Sequence, residues 1–321
     1  MNLPRPYIPP EFDEFWHRNV SEAEAAPLDY ELAQTPSPPH PTHKGQTKPG
    51  TITTQHEIST FTFRGILGET LNGWIAFPGS RASSPLRSPE DRGGPAFLWI
   101  PPYGRESLMP NQYGTREGWV SLSFNFFGYP AFHQEKYAPP RGYFREGVLD
   151  KETWIFRRMF QNALIALRVL CDLPEVDPGR VGSMGLSQGA GMSIWLGAWS
   201  DRVKAVCADM PFLGVMHETL LKNVYRYPLK ELKDLLTTVP NGEETVLRTV
   251  SYFDTLNQAA LCSRPTLVSL GLRDPAVKPV QARSIFEALP GPKKLVTYNW
   301  GHDWHPEMIE NNRLWLEEYV L

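Results

Sequence analysis

The 321-residue chain lacks the features of several protein classes. It contains no run of about 18 apolar residues, so we expect no membrane-spanning helix. Its N-terminus, MNLPRPYIPPEFDEFW, has no apolar segment of the kind that a secretory signal needs, and we therefore expect a cytoplasmic protein. The formal net charge of −3 supplies no basic field, so neither nucleic acid nor an anionic membrane is an expected partner.

Cysteine is also scarce in this chain. Cys171, Cys207 and Cys262 are an odd number without the spacing of a metal site, and each lies in or beside an apolar segment. We therefore expect buried free thiols rather than a disulfide framework. His40 and His43 lie in a proline-rich stretch, where histidines are usually solvated, so no metal site is predicted.

The apolar content is high enough for one large domain, since 41% of the residues are hydrophobic. We predict a single α/β domain with an N-terminal extension, a β-rich segment, a catalytic core in two pieces and a helical, cap-like insertion. These parts are residues 1–50, 51–95, 96–210 with 262–321, and 211–261, respectively. Two loops rich in proline and polar residues, 35–50 and 80–94, receive no predicted role.

Strand and helix patterns alternate along most of the chain. The stretches HEISTFTFRG and TLNGWIAFPG alternate apolar and polar positions, as a β-hairpin or two adjacent strands do. Further candidate strands are residues 96–100, 119–127, 181–185, 203–209, 265–272 and 293–300. Candidate helices are residues 10–25, 152–173, 188–199, 279–289 and a last one that runs to Leu321, and a turn is predicted at 177–180. The alternation from residue 95 onward predicts a mostly parallel central sheet with helices on both faces.

One motif lies where a strand meets a helix. The stretch RVGSMGLSQGAGMS, residues 180–193, contains Gly-Leu-Ser-Gln-Gly, a loose match to G-x-S-x-G. Gly185 and Gly189 have no side chains, so the strand and the helix can approach closely while Ser187 adopts a strained backbone. Ser187 is therefore the candidate nucleophile, and the main-chain N–H of Gln188 could face an oxyanion. The alternative is a serine in a structural turn.

A serine nucleophile needs a base and a group that orients the base. Asp274 follows the candidate strand 265–272, and His302 follows the candidate strand 293–300. The carboxyl ends of parallel strands meet at one edge of a sheet, so these side chains are expected near Ser187. The chain order Ser, Asp, His is the one that an α/β-hydrolase fold predicts.

Three further residues are expected near the candidate acid and base, and two of them are alternatives for these roles. Asp209, at the end of strand 203–209, is a second candidate acid, although we expect it to shape the loop beneath the site. His305 is the local rival of His302 as the base. Asp303 is expected to be a solvated carboxylate.

Several stretches together resemble one family. They are RGYFREGVLDKETWIFRRMFQNALIALRVLCDLPEVDPGRVGSMGLSQGAG, ADMPFLG, VLRTVSYFDTLNQAA and LVSLGLRDP, and the N-terminal FDEFW is similar as well. The chain resembles the acetyl xylan esterase and cephalosporin C deacetylase family, carbohydrate esterase family seven, most closely from about residue 141 to 303.

This resemblance implies an α/β-hydrolase fold, removal of acetyl groups from sugars or from cephalosporin C, no cofactor, and a homo-oligomer, often a hexamer with inward-facing active sites. Carried over by position, it implies Ser187 as nucleophile, Asp274 as orienting acid and His302 as base. The implied oxyanion donors are the main-chain N–H groups of Gln188 and of Tyr103 in IPPYGRE.

The chain departs from the family pattern at three places. Phe127-Gly128-Tyr129 stands where the family usually carries Arg-Gly-Gln. Gly301-His302-Asp303 stands where the family carries Gly-His-Glu. Pro102 replaces the glycine before the oxyanion tyrosine, which leaves the N–H of Tyr103 in place. The aromatic cluster Phe126, Phe127 and Tyr129 is expected either to contact acyl or sugar groups or to pack internally, and Pro211 is a further candidate for substrate contact.

The predicted activity is a serine carboxylesterase that removes acetyl or other short acyl groups from carbohydrate or related esters. Because aromatic residues replace the family's Arg and Gln, a second hypothesis is an esterase or acyltransferase for bulkier or non-sugar esters. A third hypothesis is a catalytically silent sugar-binding or scaffold protein that keeps the fold. The expected partner is a small-molecule or oligosaccharide ester.

Overall fold

The computed structural model of the protein describes residues 3–34, 56–79, 93–103, 113–132, 142–222, 224 and 226–321. The loop 35–50 lies outside these residues, as do His40, His43 and residues 80–92 of the second loop. Among the described residues, no helix has the length and apolar character needed to cross a bilayer.

The described strands form one sheet in the order β1-β2-β3-β5-β4-β6-β7-β8-β9. Their bounds are β1 Tyr30–Gln34, β2 Glu57–Arg64, β3 Thr70–Phe77, β4 Gly94–Ile100, β5 Val120–Phe124, β6 Val176–Leu186, β7 Val203–Asp209, β8 Thr266–Gly271 and β9 Lys293–Tyr298. In this spatial order, neighbouring strands are antiparallel from β1 to β5, and they are parallel from β5 through β4 and β6 to β9. The predicted hairpin of β2 with β3 and the mostly parallel sheet are confirmed.

The described helices are α1 Phe12–Ala25, α2 Ile155–Asp172, α3 Gln188–Trp199, α4 Met216–Leu221, α5 Leu229–Thr238, α6 Gly242–Phe253, α7 Thr255–Ala259, α8 Pro279–Ala288 and α9 Pro306–Val320, with a 3-10 turn at Tyr143–Arg145. Helices α4 to α7 occupy the predicted helical insertion. The division of the chain into four parts stays a prediction.

Hydrophobic cores cover both faces of the sheet. Val206 and Ala208 of β7 pack with residues of α2 and α3, whereas Ala205 and Cys207 pack with residues of α9. This separation arises because successive side chains of a strand point to opposite faces. Helices therefore cover both faces, which confirms the predicted α/β architecture.

The N-terminal extension packs against the core as well as the insertion. Phe12, Phe15 and Trp16 of α1 are buried, at 2% exposure or less. The indole N–H of Trp16 donates to the main-chain oxygen of Tyr252 in α6, at 2.8 Å. Helix α1 is thus joined to α6 by this hydrogen bond.

The structure differs from the predicted turn at residues 177–180. Strand β6 already begins at Val176, which pairs with Gly94, and the ladder resumes where Val181 pairs with Ala96. The residues between them bulge out of the ladder, and Asp177 closes the bulge by accepting the N–H of Gly179 at 2.8 Å. The predicted turn is therefore a bulge inside a longer strand.

The predicted strand 119–127 is too long. Strand β5 ends at Phe124, and Asn125 then donates through Nδ2 to the main-chain oxygens of Tyr129 at 2.8 Å and Pro130 at 2.9 Å. These bonds fold residues 125–130 into a turn, so Phe127 lies in a loop. The edge strand β1 had no predicted counterpart.

The cysteines are free thiols, as predicted. Cys207 and Cys262 are buried, whereas Cys171 is only half-buried. Burial raises the pKa of the Cys171 thiol to about 11.

A buried aspartate fixes the start of the insertion. Asp254 accepts the N–H groups of Val215 at 2.9 Å, Met216 at 2.6 Å and Leu256 at 2.9 Å. Burial raises the pKa of this carboxyl to about 6, although the three main-chain donors act to lower it.

We predict a pH-dependent stability difference for Asp254→Asn. The pKa of Asp254 in the folded state, about 6, exceeds the ordinary value of 3.8, so the folded state retains a proton between these pH values. The contribution of Asp254 to the free energy of unfolding therefore falls as the pH rises from about 4 to about 6, by up to about 3 kcal/mol. Urea unfolding at several pH values should show wild type losing stability relative to the variant over this range.

Asp13→Asn, at an exposed position in the first turn of α1, is the control and should show no such trend. A wild-type-minus-variant difference that is constant or grows with pH would contradict the raised pKa.

Candidate active site

Ser187 lies between the end of β6 and the start of α3 in a strained conformation. Its φ of 58° and ψ of −116° lie in a region that side-chain-bearing residues rarely adopt. Neighbouring main-chain groups hold it there: its N–H donates to the oxygen of Asp209, and its oxygen accepts the N–H of Phe212, both at 2.9 Å. The end of β7 and the loop after it thus fix the backbone of the serine.

The two glycines of the motif are required by close contacts. A Cβ atom at Gly185 would lie 2.3 Å from the main-chain carbon of Gly189. A Cβ atom at Gly189 would lie 2.0 Å from the oxygen of Ile100, the last residue of β4. Strand β6, helix α3 and strand β4 therefore meet at distances that leave no room for side chains at either position.

The structure brings Ser187, His302 and Asp274 into one hydrogen-bonded chain. His302 Nε2 lies 2.9 Å from Ser187 Oγ, and His302 Nδ1 lies 2.6 Å from Asp274 Oδ2. A carboxylate beside Nδ1 selects the tautomer that carries its proton there, which leaves Nε2 free to accept the serine proton.

Asp274 is held in place by the loop after β8. Its Oδ1 accepts the N–H groups of Ala276 at 2.7 Å and Val277 at 2.8 Å, while Oδ2 faces His302. The carboxyl side chain is fully buried, and the His302 side chain is 22% exposed. The acid is therefore shielded from water, whereas the imidazole can meet a substrate.

The loops that carry Asp274 and His302 are joined by their backbones. Arg273 donates its N–H to the oxygen of Trp300 at 3.0 Å. A Cβ atom at Gly271 would lie 2.7 Å from the oxygen of Gly301, so these loops touch main chain to main chain. The spacing of the aspartate and the histidine depends on this contact.

Asp209 lies beneath the serine. Its buried carboxyl accepts hydrogen bonds from Ser269 at 2.6 Å and from Tyr113 and Asn312 at 2.7 Å each. Burial raises the pKa of Asp209, although these three donors act to lower it. With its main-chain oxygen on the N–H of Ser187, it supports the serine from the neighbouring strand rather than orienting the histidine.

His305 and Asp303 both lie in the loop that carries His302, and each is bonded within that loop. His305 accepts the N–H of Glu307 at the start of α9 through Nδ1, at 3.4 Å, and its ring stacks on Trp300 with centroids 3.6 Å apart. Asp303 is exposed and accepts the N–H of Trp304 at 2.8 Å. Both residues therefore shape the loop, and His302 is the histidine that meets Ser187.

The residues implied as oxyanion donors lie where β4 meets α3. Gln188 is the first residue of α3 and is buried, and Tyr103 follows Pro101 and Pro102 after β4. Both contact Tyr143: its hydroxyl donates to Gln188 Oε1 at 2.9 Å, and its ring stacks on that of Tyr103 at 5.3 Å. Sequence reasoning gave Tyr143 no role, although the residue lies within the RGYFREG stretch that carries the resemblance.

The residues that we predicted to contact substrate differ in burial. Phe126 is buried and packs edge-on against Phe124 at 5.1 Å, so it belongs to the core. Phe127 is half-buried and meets the Tyr143 ring at 5.5 Å, with Tyr129 beside it at 6.4 Å. Pro211 is buried in the loop after β7, next to Phe212.

The described part of the chain contains no group of three or more His, Cys, Asp or Glu side chains arranged to hold a metal ion. The residues near Ser187 offer a nucleophile, a base and hydrogen-bond donors. This set is suited to acyl transfer through the serine oxygen.

We predict that Gly189→Ala abolishes activity by displacing β4 from α3. Its Cβ atom would clash with the oxygen of Ile100, whereas a Cβ atom at Gly94, in the same β4 strand, meets nothing closer than 3.8 Å. Gly94→Ala is the matched control and should retain near-wild-type ester hydrolysis. Retention of hydrolysis by purified, folded Gly189→Ala would show that the close approach is not needed.

The sequence is similar to a known protein family and to a known esterase. The family model of acetyl xylan esterase (AXE1) matches residues 128–317. Acetyl esterase Axe7A of Xylanibacter ruminicola is 23% identical over 333 residues, which cover 99% of this chain and 69% of that protein.

Solved structures share the fold. An acetyl xylan esterase from Paenibacillus sp. R4 superposes with a TM-score of 0.81 at 22% identity, over 99% of this chain and 97% of that one. Acetyl xylan esterase 1 from Thermoanaerobacterium sp. JW/SL YS485 gives a TM-score of 0.75 at 20% identity, over 98% and 95% of the chains. These likenesses confirm the predicted α/β-hydrolase fold. The family model spans more than half of the sequence, and the chain belongs to the acetyl xylan esterase family, whose members are carboxylic ester hydrolases.

Proposed function

We propose that the protein is a serine esterase that removes acetyl groups from carbohydrate or related esters, with Ser187 as nucleophile, His302 as base and Asp274 as orienting acid. The observation that carries this proposal is the continuous hydrogen-bonded chain from Ser187 Oγ through His302 to the buried Asp274. Family membership supports the reaction class, and the chain geometry supports the assignment of the residues.

In the first half of the reaction, Ser187 Oγ attacks the carbonyl carbon of the acetyl ester while His302 Nε2 accepts the hydroxyl proton. Asp274 stabilises the imidazolium that forms and fixes its orientation. The tetrahedral intermediate collapses when the C–O bond to the sugar breaks, and His302 returns its proton to the departing alcohol. The products of this half are the free sugar hydroxyl and an acetyl group on Ser187.

In the second half, water takes the place of the alcohol. His302 accepts a proton from the water as its oxygen attacks the acetyl-enzyme carbonyl, and the second tetrahedral intermediate releases acetate. The proton returns to Ser187 Oγ, so the enzyme ends as it began. Nothing besides water is consumed with the ester.

The negative oxygen of each tetrahedral intermediate needs donors that are already in place. We assign this role to the main-chain N–H groups of Gln188 and Tyr103. Gln188 begins α3, where main-chain N–H groups have no partner within the helix and the helix dipole favours negative charge. Preorganised donors of this kind contribute without rearrangement during the reaction.

A second candidate function is hydrolysis of, or acyl transfer from, bulkier or non-sugar esters. One observation favours it: Phe127 and Tyr129 form an aromatic pair beside Tyr143, where the family usually carries Arg and Gln. This aromatic pair could contact a larger acyl or alcohol group. Homo-oligomer formation, deacetylation of cephalosporin C and a cytoplasmic location stay predictions.

We predict that Ser187→Ala and His302→Asn each lower kcat on p-nitrophenyl acetate by a factor of about 10⁴ or more, and Asp274→Asn by about 10³ to 10⁴. Asp13→Asn makes the same chemical change at an exposed position in the first turn of α1 and should keep kcat within about twofold of wild type. Steady-state kinetics on purified, folded variants provides the measurement. Full hydrolysis by Ser187→Ala would overturn the assignment, and an inert wild type would favour the silent-scaffold hypothesis.

We predict a preference for the acetyl group over longer acyl chains. The proposed acetyl-esterase function implies a site that accepts the smallest acyl group, and one methylene more than an enzyme accommodates changes kcat/KM by about 10-fold or more. Butyrate esters should therefore be cleaved at least about 10-fold less efficiently than acetate esters. A panel of p-nitrophenyl esters and acetylated xylo-oligosaccharides checks this. Clear preference for acetylated xylo-oligosaccharides would exclude the bulky-ester hypothesis, and preference for long acyl chains would contradict the acetyl-esterase proposal.

A further inference from the structure

We propose that Tyr143 is a positioning residue for the oxyanion hole, an inference that rests on the proposed function. This one side chain contacts both residues whose main-chain N–H groups are assigned as oxyanion donors. Its hydroxyl donates to Gln188 Oε1 at 2.9 Å, and its ring stacks on the Tyr103 ring with an interplanar angle of 21°. Tyr143 therefore links the start of α3 to the loop after β4.

The turn that carries Tyr143 is anchored at its start by the helical insertion. Gly142 has a φ of 108°, a value that favours glycine. Its N–H donates to Glu231 Oε1 of α5 at 2.8 Å, and Glu231 is buried. A buried carboxylate that receives a main-chain N–H forms a strong, directional contact. The insertion therefore helps to set the position of Tyr143.

The end of the turn is anchored by the core. The N–H of Glu146 donates to the oxygen of Tyr143 at 3.0 Å, and the indole N–H of Trp154 donates to the oxygen of Phe144 at 2.7 Å. Trp154 directly precedes α2 and is buried. With both ends of the turn fixed, the Tyr143 side chain has little freedom to move.

Aromatic packing fixes the plane of the Tyr143 ring. Phe127 meets it edge-on at 5.5 Å, Phe144 does so at 5.3 Å, and Phe156 lies roughly parallel to it at 6.4 Å. These distances are in the range where ring pairs attract beyond their buried area. Phe127 thus supports a ring that itself supports the proposed oxyanion donors.

The energetic reason for a positioning role is that donors act on the transition state only if they are held in place beforehand. Gln188 is 1% exposed, so loss of the Tyr143 hydroxyl would leave its side-chain oxygen buried without this donor. The side chain of the first α3 residue would then relax, and with it the direction of its main-chain N–H. In this proposal Tyr143 acts through its contacts with Gln188 and Tyr103.

The test is Tyr143→Phe, which removes only the hydroxyl. We expect kcat on p-nitrophenyl acetate to fall by about 10-fold, less than the 10²- to 10³-fold that loss of an oxyanion donor causes, with KM within about twofold of wild type. Affinity for a trifluoromethyl ketone, which forms a tetrahedral oxyanion on the serine, should weaken by about the factor lost in kcat/KM.

Tyr252→Phe is the matched control. Tyr252 is also buried, and its hydroxyl donates to the main-chain oxygen of Pro10 at 2.5 Å, on the N-terminal extension. Its loss should lower the melting temperature but leave kcat and ketone affinity unchanged. If Tyr143→Phe behaves in the same way, its role is structural and the proposal is wrong.

Gln188→Met probes the same hydrogen bond from its opposite end. We expect it to lower kcat and ketone affinity about as much as Tyr143→Phe does, and the double variant to be no worse than either single variant. Unchanged kinetics in Gln188→Met would overturn the proposal even if Tyr143→Phe did not fold. Activity that survives Ser187→Ala would instead defeat the proposed function, so the two failures are distinguishable.

Discussion

The strained backbone of Ser187 is the constraint on which the rest of the site depends. A positive φ at a residue with a side chain is unfavourable by about 1 to 3 kcal/mol and persists only where its surroundings enforce it. Here Asp209, at the end of β7, and Phe212, in the loop after it, hold the serine backbone, and two glycines let β6, α3 and β4 approach closely around the turn. The serine oxygen is thereby directed toward His302.

The parallel sheet places the partners of this serine. Because β6, β7, β8 and β9 are neighbours and run in one direction, the loops after them open at one edge of the sheet. Ser187, Asp209, Asp274 and His302 each follow or end one of these strands. The buried carboxyl of Asp209 accepts hydrogen bonds from β8 and α9 and thereby joins them to β7, so one hydrogen-bonded network lies beneath Ser187.

Much of this arrangement could be predicted because it depends on local patterns. Helix α3 and strand β7 have the predicted bounds. Asp274 and His302 lie 87 and 115 positions after Ser187, yet their places directly after predicted strands indicated that they lie near it. The errors involve contacts between distant residues. The bulge at 177–180 depends on the register with β4, and the early end of β5 depends on the Asn125 side chain. Tyr143 could not be assigned because its partners Gln188 and Tyr103 lie far from it in the sequence, at the start of α3 and in the loop after β4.

The proposed role of Ser187 is that of a nucleophile activated by His302. The most direct measurement is labelling of the folded protein with a fluorophosphonate, which reacts with serines that a neighbouring base activates, followed by mass-spectrometric mapping of the modified residue. We expect a single adduct on Ser187, formed with wild-type protein and lost in His302→Asn. Absence of labelling in folded wild-type protein, or an adduct on a different residue, would contradict it.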